Sequence, residues 1–295
     1  MINRKKINKI CLGTANFGTS YSINKKKSVK KKEIKKIFDY AKKNNIKFLD
    51  TAINYKNSEK TIGLINKHNF KIITKLPKIP KKITNVEKWV INKITQSCKK
   101  LKIKNLYGVL IHYTSELEDK KKSKEIYKAF DYLLSKKVVK KIGLSIYDPR
   151  ELDLFFKEYD FQIVQAPINI FDRRLMLSGW KKKLLKKEVE IFARSIFLKG
   201  FLLRDSNKIP KHFSRWNKKF INFEKWTIKE KISKVEACIR FTNSFKGIKK
   251  IILGVNNLEQ LKQNVKFLKK KKLVVPKNLN IEFTGIITVY RTQRR

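Results

Sequence analysis

Short apolar runs and helix-spaced apolar positions alternate along almost the whole chain. KICLGTA, near residues 8 to 15, is a compact run. In residues 32 to 45, Ile34, Ile37, Phe38 and Ala41 recur at the three-to-four-residue spacing of an amphipathic helix. IKFLDTA follows, then a helix from Ser58 carrying Ile62, Leu64 and Ile65, with Ser58 as its cap. Next come FKIITKL and a helix over residues 86 to 101 whose buried stripe is Val86, Trp89, Val90 and Ile94. YGVLIH, a helix over residues 123 to 136, KKIGLSI and a helix opened by Pro149 in DPRELDLFFKEY continue the series. FQIVQAP, a helix between Leu175 and Lys187, VEIFARS, a helix over residues 228 to 246, KKIILGV and LEQLKQNVKFL complete it. Strands that are apolar on both faces belong to a parallel sheet covered by helices. Eight such strands alternating with eight helices predict an α/β fold, a single-domain (β/α)8 barrel over residues 1 to 272.

Two stretches fall outside the alternation. Lys199 to Trp226 is rich in Phe, Trp and Lys and is too long for a plain connection, so it is expected to overhang the barrel mouth, with Trp216 and Trp226 either lining a pocket or packing the loop down. Residues 273 to 295 form a tail that either covers the barrel or hangs from it.

Composition changes this picture little. Of 295 residues 41% are hydrophobic, enough for one large core in a chain that is 33% charged. The 73 Lys plus Arg against 24 Asp plus Glu give +49, a balance that ordinarily raises nucleic acid or an anionic surface as partner. The lysines, however, are spread from Lys5 to Lys277 among unusually many Asn and Ile. The charge therefore reads as compositional bias, and no specific nucleic-acid partner is expected. Cys11, Cys98 and Cys238 lie far apart with no metal-ligand spacing and read as reduced thiols. With no long uncharged apolar run and no signal-peptide core in MINRKKINKICLGTA, the expected location is the cytoplasm, without membrane insertion.

The candidate chemistry sits at the carboxyl ends of the predicted strands. FLD ends at Asp50, Tyr55 follows on a loop, FKIITK ends at Lys75, and YGVLIH ends at His112. The βα loops of a parallel barrel share one face, so these four residues are expected to meet there. Together they suit carbonyl reduction. Tyr55 is the acid that protonates the developing oxyanion, Lys75 beside it eases the phenol toward phenolate, Asp50 holds Lys75 charged, and His112 orients the carbonyl oxygen. Singly, each has a plainer reading as a turn cap, a surface aromatic, one lysine among many or a core histidine. Their joint order favours catalysis.

In that order of Asp, Tyr, Lys and His, and in LGTANFG, FLDTAINYKNSE, IITKLP, IGLSIY, VQAPINIFDRR and ARSIFLKGFLL, the chain resembles the aldo-keto reductases over roughly residues 8 to 271. The resemblance implies an extended nicotinamide dinucleotide across the barrel mouth, and it agrees that no GxGxxG follows any strand. It implies that Ser145 and Gln165 contact the nicotinamide carboxamide and that Gly13 and Thr14 lie beneath the cofactor. Ser195, Phe197, Leu198 and Gly200 would run along the pyrophosphate, and Gly254, Val255, Asn256, Gln260 and Asn264 would surround the adenosine.

Three departures from the pattern involve four positions. Ile146 stands where many relatives have Asn. Arg194 stands where many stack an aromatic on the nicotinamide, and it could stack there or pair with an acidic substrate. Gly254 and Gln260 stand where NADP-preferring members carry basic residues. Lysines nearby can serve instead, so NADP(H) is favoured, with NAD(H) as the alternative. The resemblance thus implies reduction of a small-molecule carbonyl substrate. A cofactor-binding barrel with little catalysis, or a basic nucleic-acid-associated protein, are the competing readings, and oligomeric state is not legible.

Overall fold

Eight short strands, mostly apolar in sequence, pair side by side in chain order and close on themselves. A computed structural model describes residues 8–18 and 28–281, so part of the predicted tail, residues 282 to 295, and the start of the chain lie outside the described residues. The strands are β1 (Ile10–Gly13), β2 (Phe48–Asp50), β3 (Lys71–Leu76), β4 (Gly108–Ile111), β5 (Ile142–Ser145), β6 (Ile163–Pro167), β7 (Glu190–Arg194) and β8 (Ile248–Gly254). Every pairing is parallel, and β8 returns to β1 with Leu12 opposite Leu253. This is the predicted (β/α)8 barrel.

Period-two alternation decides what the barrel encloses. Cys11, Phe48, Ile73, Leu110, Ile163 and Phe192 form one buried cluster inside it. Two residues further along the same strands, or just past their ends, come Gly13, Asp50, Lys75, His112, Gln165 and Arg194. The larger apolar cluster lies between the strands' outer faces and the helices α1 (Lys31–Lys43), α2 (Ser58–Ile65), α3 (Val86–Leu101), α4 (Lys120–Ser135), α5 (Arg150–Phe155) and α6 (Trp180–Lys186). Helix ends follow local chemistry: Asn85 accepts from the Lys88 amide and starts α3, and Asp119 does the same for α4 through Lys122. Pro149 occupies the cap position of α5.

Ser58 does not cap α2. Asn57 holds the cap position, and the Ser58 hydroxyl turns inward to donate to the Thr14 carbonyl at 2.9 Å. The reason is close packing. A Cβ on Gly18 would lie 2.1 Å from the Ser58 amide nitrogen, so the turn after β1 presses on this helix start and only glycine fits there. Leu64, expected on the buried stripe of α2, is 52% exposed.

The segment after β7 is more structured than its sequence suggested. It forms turns of 3-10 helix at Leu198–Leu203, Ser206–Lys208 and Lys211–Trp216, then a full helix α7 (Asn217–Lys229). The predicted helix over residues 228 to 246 divides: α7 ends at Lys229, Lys231 takes a positive φ of 51°, and α8 (Lys234–Ser244) starts on a Ser233 cap. α9 (Leu258–Lys269) follows β8. Phe201, Phe213, Trp216, Phe220 and Phe223 pack with Phe171, Phe241, Val275, Leu279 and Ile281 in a second apolar cluster. The described part of the tail is tied in by the Ile281 amide, which donates to the Phe171 carbonyl at 2.8 Å. Among the described residues no helix is long and apolar enough to cross a membrane.

At the amino-terminal end of the barrel, Lys250 is 3% exposed and its ammonium lies 4.1 Å from the centre of the Phe48 ring. It donates to the Asn8 backbone and side-chain oxygens. Burial pushes its pKa down to about 8, with the Cys11, Glu190, Lys249 and Lys71 charges as smaller influences. The unfolded chain holds this proton up to about 10.4, so between the two values the unfolded state binds more protons and rising pH favours the fold. In urea titrations at pH 7.5 and pH 10, the wild type is expected to gain about 2 kcal/mol relative to Lys250→Met. Parallel behaviour of the two proteins would show that Lys250 keeps its ordinary acidity.

Candidate active site

The carboxyl ends of the strands bring the four predicted residues into one place. Asp50 is 4% exposed and Lys75 1%, both deep at the barrel mouth. The Lys75 ammonium donates to Asp50 Oδ1 at 2.7 Å, to Oδ2 at 2.8 Å and to the Thr51 carbonyl at 2.7 Å. Those three acceptors match its three N–H donors. Gln165, from β6, adds a hydrogen bond from Nε2 to Asp50 Oδ1 at 2.8 Å. A buried charge pair persists only when its polar atoms are satisfied in this way.

Tyr55 lies over this pair. The Lys75 ammonium is 5.3 Å from the centre of the phenol ring, and the His112 ring stands nearly perpendicular to it at 6.1 Å between centroids. The expectation that Lys75 eases Tyr55 toward phenolate is not met. Burial pushes the hydroxyl well above its usual value, Asp50 raises it further, the Arg194 guanidinium opposes both, and Tyr147 and Tyr113 add to the rise. Burial is the main cause, and the Lys75 charge nearby is paired with Asp50. The phenol therefore keeps its proton at neutral pH, as a proton donor must.

The cavity above the four residues has a volume of about 260 Å³. Of the residues singled out from sequence, Gly13, Thr14, Asp50, Tyr55, His112, Ser145, Gln165, Arg194, Ser195, Phe197, Gly200 and Gly254 line it. Thr14 is fully buried and its hydroxyl donates to the Asp50 carbonyl at 2.9 Å, fastening β1 to β2 beneath the cavity. Leu198, Val255, Asn256, Gln260 and Asn264 are not in its wall. Leu198 is buried in the second apolar cluster. Asn256 accepts from Asn16 at 2.8 Å, and the Gln260 side-chain oxygen takes the Asn256 amide at 2.8 Å, so both order the turn from β8 into α9. Trp216 and Trp226 pack the loop rather than the cavity.

Sequence reading missed Ala15, Asn16, Tyr147, Ile196, Lys199, Leu203 and Ile252 in the wall. Ile252 was legible in principle, because it stands two residues before Gly254 on one strand face. Tyr147 lies just past the end of β5 and was visible in IGLSIY, but nothing local says which way it turns. Its placement comes from a network: Arg174 donates to the Tyr147 carbonyl at 2.8 Å and pairs with Asp172 at 2.8 Å and Asp148 at 3.1 Å. The loops after β5 and β6 are thereby locked together, while Arg173 reaches the Pro276 carbonyl at 2.9 Å.

A nicotinamide dinucleotide fits the groups present. Ser145 and Gln165 place a hydroxyl and an amide side by side at the ends of adjacent strands, in register with one another. The backbone after β7 turns through positive φ at Ser195, Leu198, Lys199 and Gly200, with a lysine in the turn. Within it the Leu198 and Gly200 amides donate to the Ser195 and Phe197 carbonyls at 2.8 Å each, which fixes the turn that carries the lysine. Among the described residues no cluster of three or more His, Cys, Asp or Glu could hold a metal ion.

Comparison with known proteins agrees with this geometry. The family model described as Aldo/keto reductase family matches residues 9–277. Among similar solved structures is an aldo-keto reductase from Bacillus halodurans in its holo form, with 16% sequence identity and a TM-score of 0.71 over 95% of this chain and 91% of that one. Another is a candidate aldo-keto reductase from Pseudomonas aeruginosa, with 15% identity and a TM-score of 0.65 over 88% of this chain and 89% of that one. At these identities the likeness is one of fold. No protein of curated function matches the sequence.

Proposed function

Because the chain belongs to the aldo/keto reductase family, we propose that it is an NAD(P)H-dependent oxidoreductase that reduces an aldehyde or ketone to the alcohol. The observation that carries this reading is the Lys75–Asp50 pair, with donor distances of 2.7 and 2.8 Å, beneath the Tyr55 ring with His112 alongside. The bound dinucleotide supplies hydride to the carbonyl carbon. Tyr55 gives its proton to the oxygen as negative charge grows there, and His112 hydrogen-bonds that oxygen and fixes its direction. The ion pair below holds a cation near the developing oxyanion without taking Tyr55's proton beforehand.

Ser145 and Gln165 hold the carboxamide, over a floor of Gly13 and Thr14. Ser195, Phe197 and Gly200 follow the pyrophosphate, while Leu198 is buried in the second apolar cluster. Gly254 lines the adenosine end, where Asn256 and Gln260 order the turn into α9 and Val255 and Asn264 are buried beside it in sequence. NADP(H) is preferred over NAD(H) because Lys266 lines a surface depression on α9 together with Gln260, where Lys262 is paired with Glu259 at 2.7 Å. Calorimetric titration with NADPH and NADH tests this. NADPH is expected to bind saturably and roughly tenfold more tightly, a difference of about 1.4 kcal/mol. Binding of neither would leave Tyr55 without a hydride donor and end the assignment.

A further inference from the structure

Tyr55 stands on a short loop whose two ends are tied to the strand that carries Lys75. Before the loop, the Thr51 amide donates to the Ile73 carbonyl at 2.8 Å and the Ile53 amide to the Lys75 carbonyl at 3.2 Å. After it, where α2 begins, Glu59 Oε1 accepts the Thr74 hydroxyl at 2.7 Å and, from α3, the Ser97 hydroxyl at 2.6 Å. Ile73, Thr74 and Lys75 are consecutive in β3, so one strand holds both ends of the loop and the lysine beneath it. Between those ends the chain is drawn tight. The Tyr55 amide donates to the Ala52 carbonyl at 3.0 Å, the Ser58 amide to the Tyr55 carbonyl at 2.9 Å, and Lys56 takes a positive φ of 46°.

Glu59, Thr74 and Ser97 are all buried, and none of them lines the cavity. Burying a carboxyl group costs far more desolvation than burying an apolar side chain of similar size, and two hydroxyl donors offset part of that cost. What the carboxyl group adds is direction. An apolar side chain would fill the space between α2, α3 and β3 and still let the helix slide, whereas hydrogen bonds fix distance and angle, and a satisfied buried network specifies one arrangement. Alternation along β3 turns Thr74 outward to the helices where Lys75 turns inward. A shift of Glu59 is therefore passed to the lysine through one peptide unit and to the phenol through four residues.

We propose that Glu59 is a positioning residue for carbonyl reduction: by holding Thr74 and Ser97 it sets where Tyr55 stands over the Lys75–Asp50 pair. This rests on the carbonyl-reductase reading and deepens it by naming what holds the proton donor in place. Glu59 meets neither substrate nor cofactor and moves no proton in the reaction.

The test uses the full chain and compares Glu59→Met, which keeps the length and loses the acceptor, Glu59→Gln, which keeps an acceptor oxygen, and Thr74→Val, which loses one donor with little change of shape. Glu59→Met is expected to slow single-turnover oxidation of bound NADPH by an aldehyde about 30-fold. NADPH affinity should stay within about twofold of the wild type. Glu59→Gln should recover most of the rate, and Thr74→Val should fall between. The decisive readout is a double variant: if Glu59 acts through Tyr55, Glu59→Met should add less than about twofold to the slowing already caused by Tyr55→Phe. A residue with a merely structural role would multiply that slowing in full. Amide hydrogen exchange reads the placement without turnover, and exchange at Ile53, Tyr55 and Ser58 should rise at least about tenfold in Glu59→Met while the amides of β7 and β8 stay unchanged. Full multiplication in the double variant, a Met variant as fast as the wild type, unchanged exchange in the loop, or a loss of NADPH affinity as large as the loss of rate each overturns the proposal. Should Glu59→Met fail to fold, Thr74→Val is carried through the same cycle and exchange measurement with the same criteria. A wild type that reduces no aldehyde counts against the oxidoreductase reading, whereas the exchange result is read independently of it.

Discussion

Tyr55→Phe is expected to lower the rate of carbonyl reduction by at least about 10³-fold while changing NADPH affinity by less than about twofold. The substitution removes one oxygen and keeps the ring, so the contact with His112 at 6.1 Å between ring centres and the position above Lys75 at 5.3 Å are preserved. What is lost is the proton. A phenol ordinarily titrates near ~10, and burial together with the Asp50 charge raises Tyr55 further, so in the wild type the donor is fully protonated at neutral pH. Water is a poor substitute, because the mouth is walled by Tyr147, Phe197 and Leu203 as well as by polar groups. The measurement is single-turnover oxidation of bound NADPH by an aldehyde, alongside a binding isotherm. A Phe variant as fast as the wild type would place the proton source elsewhere and remove Tyr55 from the mechanism.

Asp50→Ala carries the largest expected cost in stability, about 3–5 kcal/mol, because it leaves the Lys75 ammonium buried without its counter-ion. Lys75 is 1% exposed, so water cannot replace the two carboxylate oxygens, and the Thr51 carbonyl alone is a weak substitute. The Gln165 amide loses its acceptor in the same change. Lys75→Met should cost comparably by stranding the carboxylate. The double variant Asp50→Ala, Lys75→Met should cost much less than the sum of the two, since neither charge is then left alone. Urea unfolding of all four proteins gives the coupling directly. Additive single costs below about 1 kcal/mol each would mean that the two charges are solvated separately, contrary to their distances of 2.7 and 2.8 Å.

The same ion pair shows where sequence and tertiary structure part company. Asp50, Lys75 and His112 could be placed from sequence because each ends an apolar run, and strand ends of a parallel barrel converge by topology alone. Tyr55 followed from Asp50 by proximity along the chain. How Lys75 acts on Tyr55 could not be read, because it depends on where three N–H donors go, and Asp50 and the Thr51 carbonyl take all three. Burial first, and then the Asp50 charge, hold the phenol's proton more tightly, opposite to the sequence expectation.

The segment after β7 divides in the same way. Phe220, Phe223 and Thr227 are spaced as one helix face, so α7 was legible in principle. Its true end was obscured because the break before α8 uses Lys231 in a left-handed conformation and a Ser233 cap, with no Gly or Pro to announce it. That its aromatics pack against Phe171, Phe241 and the described part of the tail instead of lining the cavity is a matter of long-range contact.

By itself the sequence determined the number, order and type of the strands and most helices, hence the barrel and the end of it where chemistry collects. Those follow from period and chain order, which are local properties. Only the tertiary structure decided which residues form the cavity wall, that Ser58 pins β1 instead of capping its helix, that Tyr147 and Ile146 hold Arg194, and which charges cancel. Each of these depends on distances between residues far apart in the chain, set by how the barrel closes.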